Sequence, residues 1–243
     1  MSKFEVTPAQ KTEIKKYELG IDYSNAVLER LGGVTIVAAT GPSAVGVTTT
    51  IRESGLDKVR GFTNRSQRND ADNAIRFIPQ TAAAVDDCID KAKRGDLVQI
   101  KLSEEGYLYG SEPEDYFPDK LNVVDMATSS IIGLTALPIK ELIPVVFVCE
   151  PAELCERFLA HRGPFEENRD RLWNDSVNLE QTVLVPGGDE DMFFRVIVNH
   201  KGQLDETVSQ FLEVARGEHY GDHEDASDIR DRLVSELAFL ATI

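Results

Sequence analysis

Residues 34–51 read VTIVAATGPSAVGVTTTI, and the order of properties along this stretch decides the fold class. Val34 to Val37 is an apolar, β-branched run, Gly41 to Thr48 is built of small residues, and Thr48–Thr50 open a helical pattern. A buried strand, a glycine loop and a helix start, in that order, let backbone N–H groups converge on phosphate oxygens. Gly41, Gly46 and Thr48 fall on the fixed positions of G-x-x-x-x-G-K-[ST], while Val47 stands where that pattern has lysine. Gly41, Ser43, Gly46, Val47, Thr48 and Thr49 are the expected phosphate-facing set, and Thr48 offers a hydroxyl where Mg²⁺ is usually held. The plainer alternative is an ordinary strand-to-helix turn that happens to use glycine.

Outward from this loop, apolar runs alternate with helical patterns. Asp96–Leu102 (DLVQIKL), Leu121–Ala127 (LNVVDMA), Ile143–Glu150 (IPVVFVCE) and Phe193–Asn199 (FFRVIVN) read as strands, the last three buried on both faces. Thr81 is placed to cap the helix AAAVDDCIDKAKR, which Gly95 stops. PAELCERFLAHRG reads as a helix with Pro151 in its first turn and Gly163 past its end. Val208, Phe211, Leu212 and Ala215 recur at helical spacing after the last strand. Strands alternating with helices predict a layered α/β domain with a parallel sheet. Residues 1–33 read as a helical extension whose Ile14, Tyr17, Ile21, Leu28 and Leu31 form apolar stripes against the main body. Residues 217–243 read as an acidic linker followed by an amphipathic helix with Ile229, Leu233, Leu237 and Leu240 on one face. That helix is expected to dock on its own domain or to join a second copy in a homo-oligomer. His219 and His223, with Asp222, Glu224 and Asp225, have metal-type spacing, but a solvated linker accounts for them more simply.

Composition narrows the function classes. The chain has 243 residues, 42% of them apolar, enough for a full core rather than wholesale disorder. A formal net charge of −16 argues against a nucleic-acid binder, since that field repels phosphate backbones. Cys88, Cys149 and Cys155 are an odd set without C-x-x-C spacing, which points to buried thiols in a reducing compartment. The polar N-terminus and the lack of any long apolar run predict a cytoplasmic protein that does not enter a membrane.

The blocks GPSAVGVTTT, FTNRSQRND, LVQIKLSEEGYLYGS, VVDM, FLAHRG and VIVN, taken in order from Val34 to Arg216, resemble the guanylate kinase family. The resemblance implies a P-loop nucleoside monophosphate kinase: a core over 34–216, a nucleotide-binding insert at about 60–120 and a lid at about 161–190. It implies ATP with Mg²⁺ as donor and GMP as acceptor. Thr63, Arg65 and Arg68 fall where the family clamps the GMP phosphate, and guanidinium forks suit a phosphate dianion because each can bond bidentately. Tyr109 and Ser111 match the family's Tyr-Gly-Thr/Ser block and Asp125 matches the first acid of its Asp-x-Asp, which implies that all three bind the acceptor nucleotide. Arg162 and Arg171 match arginines that reach the transferring phosphate.

The departures are specific. Val47 removes the charge that follows the β- and γ-phosphates. Gln99 stands where the family uses a glutamate to accept from guanine N–H groups, and an amide offers only its one oxygen as acceptor. Ala127 replaces the second acid of Asp-x-Asp, and Ile75 stands where a phosphate-binding tyrosine is expected. Two function classes stay open: a phosphotransferase of reduced activity acting on ATP and GMP or another monophosphate, and an inactive module that binds nucleotides or phosphopeptides.

Overall fold

The computed structural model describes residues 5–18, 20–67, 75–103, 105–182, 194–218 and 223–242, with side chains from 226 in the last helix. The chain divides into two compact units. One comprises Met1–Thr35, Lys58–Asn122 and Gly133–Glu141; the other comprises Ile36–Asp57, Val123–Ile132 and Leu142–Ile243.

The quoted stretch forms β1 (Thr35–Thr40) and α3 (Val47–Glu53), joined by the glycine loop. β1 is a central strand of a four-stranded sheet ordered β6 (Leu121–Asp125), β1, β7 (Glu141–Val148), β8 (Arg195–Val198). β7 and β8 run parallel, pairing Val145 with Arg195 through Val148 with Val198. Pro144 has no N–H to give a ladder, and it falls one residue before that pairing begins. The strand runs Glu141–Val148, two residues earlier at each end than the expected Ile143–Glu150.

α5 (Thr128–Leu134) follows β6, and helices α6 (Pro151–Arg162), α7 (Arg169–Gln181), α8 (Leu204–Ala215) and α9 (His223–Leu240) belong to the second unit. Phe147 of β7 and Phe211 of α8 meet with ring centroids 5.7 Å apart. Along α9, Ala226, Ile229, Leu233, Leu237 and Leu240 are all buried. The Ser176 hydroxyl donates to the Val234 carbonyl at 3.1 Å, and Arg232 donates to both Glu150 oxygens at 3.0 and 3.2 Å. The apolar stripe of the C-terminal helix is thus covered by the chain's own unit.

In the first unit, β2 (Phe62–Thr63), β3 (Arg76–Phe77), β4 (Gln99–Leu102) and β5 (Leu108–Ser111) form a small mixed sheet in the order β3, β2, β5, β4. Phe62, Ile100 and Leu108 lie in one apolar cluster with Ile14 of α1 (Pro8–Glu18) and with Val85, Cys88 and Ile89 of α4 (Ala82–Lys93). Thr81 caps α4 as expected, accepting from the Ala84 N–H at 3.3 Å. Gly95 ends it at φ +73°, where a Cβ would run into the backbone of Asp22 and Ser24. Among the described residues the N-terminal segment forms α1 and α2 (Asn25–Leu31), and α1 completes the core beneath the small sheet. Among the described residues, no helix is long and apolar enough to cross a membrane.

Candidate functional site

The loop after β1 is tight because its neighbours leave no alternative. A Cβ on Gly41 would approach the Phe147 carbonyl and the Val45 side chain to 2.8 Å, and Gly46 sits at φ +110°. Ala44 is held at φ +71°, and the Val45 N–H donates to the Pro42 carbonyl at 3.1 Å. From behind, the Val45 carbonyl accepts from Asn199 Nδ2 at 2.6 Å and from Arg157 Nη1 at 3.2 Å. Asn199 is fixed in turn, because its amide oxygen accepts from the buried Thr207 hydroxyl at 3.2 Å. Neither Asn199 nor Arg157 was singled out in the sequence, although VIVN ends on that asparagine.

The Thr48 hydroxyl donates to Asp125 Oδ2 at 2.8 Å, so the start of α3 and the end of β6 bring one hydroxyl and one carboxylate together. Both residues are exposed. Asp125, expected with the acceptor nucleotide, thus stands at the loop. Two hard oxygen donors open to solvent suit Mg²⁺, which takes few protein ligands and keeps waters and phosphate oxygens for the rest. Val47 is 8% exposed and Thr49 is half-buried.

α7 adds two groups. Asp175 Oδ2 accepts from the Ser43 N–H at 2.8 Å, and Arg171 Nη1 lies 3.5 Å from the Ser43 hydroxyl. Arg171 therefore lies beside the loop. Arg162 is exposed at the end of α6. Asp175 had no signal in the sequence beyond its place one turn after Arg171.

The second candidate cluster is assembled by strand register. Thr63 faces Tyr109, Gln99 faces Ser111, and Thr63 lies beside Phe77. Paired residues share a face, as do residues two apart on one strand. Thr63, Phe77, Gln99, Tyr109 and Ser111 therefore occupy one face of the small sheet, and Lys101, opposite Tyr109, joins them. The other face carries Phe62, Ile100 and Leu108 into the core. Residues separated by almost fifty positions are thus gathered by four short strands.

Arg65 is 7% exposed; its Nη1 donates to the Ser66 carbonyl at 3.0 Å, and its guanidinium sits 5.9 Å from the Phe77 ring centroid. The Arg65 N–H donates to the Thr63 hydroxyl at 3.2 Å. Asn64 accepts from the Leu108 N–H at 2.8 Å, which ties the Thr63–Arg65 turn to β5. Ser111 Oγ and Tyr116 OH are 3.0 Å apart, and burial pushes the Tyr116 phenol far above its ordinary value, so it stays protonated. Arg68 lies outside the described residues, as do His219 and Asp222 and the side chains of His223, Glu224 and Asp225.

No cysteine of the three is part of either cluster. Cys88 and Cys149 are buried, and burial raises their thiols to about 11 and about 12.

A crystal structure of guanylate kinase from Anaplasma phagocytophilum is similar to this chain, with a TM-score of 0.50 and 13% identity over 85% of this chain and 96% of that one. No family model matches the sequence, and no curated protein does. What the likeness carries is architecture: a guanylate-kinase-like α/β fold whose four-stranded parallel sheet is flanked by helices.

Proposed function

We propose that the chain is a guanylate-kinase-like phosphotransferase that moves the γ-phosphoryl group of ATP to a nucleoside monophosphate, with GMP the first candidate acceptor. The observation that carries this reading is the Thr48–Asp125 contact at 2.8 Å beside the glycine loop, the pair of oxygens that P-loop enzymes use to hold Mg²⁺. Mg²⁺, when bound, neutralises charge on the donor phosphates. The loop N–H groups orient those phosphates, and the Asn199–Arg157 brace keeps the loop from relaxing when it is empty. Arg65, with Tyr109 and Thr63 on the same small sheet, holds the acceptor phosphate. Gln99 and Ser111 face the acceptor's base, and Gln99 weakens the preference for guanine. Arg171 meets charge that develops on the transferring group. Transfer between phosphates needs little covalent help, so positioning carries most of the rate.

Val47 makes the enzyme slow. A lost preorganised charge costs about 10²–10³-fold in rate by analogy with a deleted oxyanion donor. A second reading, a module that binds nucleotides or phosphopeptides without transfer, draws on the same valine and on the carboxylate that Asp175 places on the loop. We place the protein in the cytoplasm, acting on free nucleotides and not on nucleic acid.

The test is ADP release from Mg·ATP across a panel of monophosphates, with Thr48→Val as the control. Transfer above that control supports the enzyme; none with any acceptor leaves the binding module.

A further inference from the structure

Three observations at the glycine loop bear on one another. The Ser43 N–H, inside the stretch that should cradle phosphate, already donates to a carboxylate, Asp175 Oδ2, at 2.8 Å. Arg171 stands one turn earlier on α7, with Nη1 3.5 Å from the hydroxyl of the same serine. Residues four apart on a helix share a face, so one face of α7 brings an anion and a cation to Ser43. The position that would add a lysine to the loop is Val47, which is 8% exposed.

A carboxylate on a backbone N–H is a charge-assisted hydrogen bond of the kind a phosphate oxygen makes. Two anions cannot share one donor at hydrogen-bond distance without strong repulsion. We propose that Asp175 is an internal occupant of the phosphate loop: it holds the place of a ligand oxygen on Ser43, and a polyphosphate binds by displacing it. The proposal rests on the donor-site reading above and adds what regulates entry to that site. Displacement exchanges one anion for another on Ser43, whose hydroxyl lies 3.5 Å from Arg171 Nη1. The element that shifts is α7. Its Trp173, the one tryptophan of the sequence, lies two residues before Asp175 and is 54% exposed.

The full chain, Asp175→Ala and Asp175→Asn are titrated with inorganic tripolyphosphate in Mg²⁺ by calorimetry, while Trp173 emission is followed. The alanine variant is expected to bind at least ten-fold more tightly than the native chain, and the asparagine variant, which keeps shape and acceptor but no charge, a few-fold more tightly. Trp173 emission of the native chain should change on ligand addition, and that of unliganded Asp175→Ala should already resemble the liganded state. Should the alanine variant fail to fold, the asparagine variant carries the test. Equal or weaker binding by folded variants overturns the proposal, as does the absence of tripolyphosphate binding in all three. Tighter binding without ADP release from ATP leaves the gate standing and removes the kinase. Transfer by the native chain without tighter binding by the variants does the reverse.

Discussion

The glycine loop and the small-sheet cluster, the two places where we propose that phosphate binds, handle charge in opposite ways. At the loop, the side-chain cation that the sequence pattern calls for is replaced by buried Val47, and a carboxylate from α7 sits on a backbone donor. In the small sheet, the cation is kept: Arg65 is buried to 7% exposure against Phe77 and anchored through Thr63 and Ser66. One region holds its shape through backbone geometry around an apolar Val47; the other holds a guanidinium in place through the Ser66 carbonyl, the Thr63 hydroxyl and the Phe77 ring. The contrast teaches that the loop's architecture and its electrostatics are separable. Asn199 and Arg157 brace the loop from behind whether or not anything in front is positive.

The comparison breaks most violently at Gly46. Gly46→Ala puts a Cβ at φ +110° and into the Asn199 amide, so it should lower stability by about 2–4 kcal/mol through strain plus a lost buried hydrogen bond. Thermal unfolding reads this directly, and an unchanged Tm would mean the brace is not tight. Next in size is Arg65→Ala. Loss of a hydrogen bond to a charged group costs about 1.5–3 kcal/mol, so GMP affinity should fall roughly 10–150-fold while circular dichroism stays native. Equal calorimetric affinity would separate Arg65 from the ligand.

Val47→Lys restores the loop's cation. Its stem starts from a buried position and must reach water along apolar surface, so we expect a stability cost of about 1 kcal/mol. Turnover should rise several-fold; no gain would show that the loop no longer accepts ATP. Gln99→Glu should shift preference toward GMP by a few-fold in competition among monophosphates, and an unaltered profile would place Gln99 away from the base.

The smallest effect is a pH response confined to the small-sheet unit. Burial raises the Glu112 carboxyl, but Lys91 at 2.9 Å and Arg76 outweigh it and hold Glu112 below the ordinary 4.5. A carboxyl lowered in the folded state stabilises the fold above its unfolded pKa, and that contribution is lost as pH falls through the folded value. Native protein should therefore lose more Tm than Glu112→Gln on acidification below about pH 4.5. Parallel acid curves would remove the Lys91–Glu112–Arg76 cluster from the account.

The long apolar runs were readable because parallel strands buried on both faces leave an unbroken hydrophobic signature, as at Glu141–Val148. Thr81 and Gly95 were readable because caps use few residue types. The two-residue strands Phe62–Thr63 and Arg76–Phe77 were not, since no period exists over two residues. For that reason Lys101 and Phe77 came to the candidate site only through register. Asp175 and Asn199 escaped because their roles depend on contacts 132 and 154 residues away in the chain. Local propensity carries no trace of such pairings.

Those separations have a consequence for biosynthesis. The glycine loop is made early, but its two fixings from α7 and from the end of β8 come from residues synthesised much later. At about 5–20 residues per second, the 154 residues between Val45 and Asn199 take roughly 8–30 s to emerge. Until α7 is made the nascent loop has its glycines but neither the carboxylate on it nor the amide behind it, and the amide comes last. The order of translation thus leaves the glycine loop without its rear brace in the growing chain until residue 199 arrives.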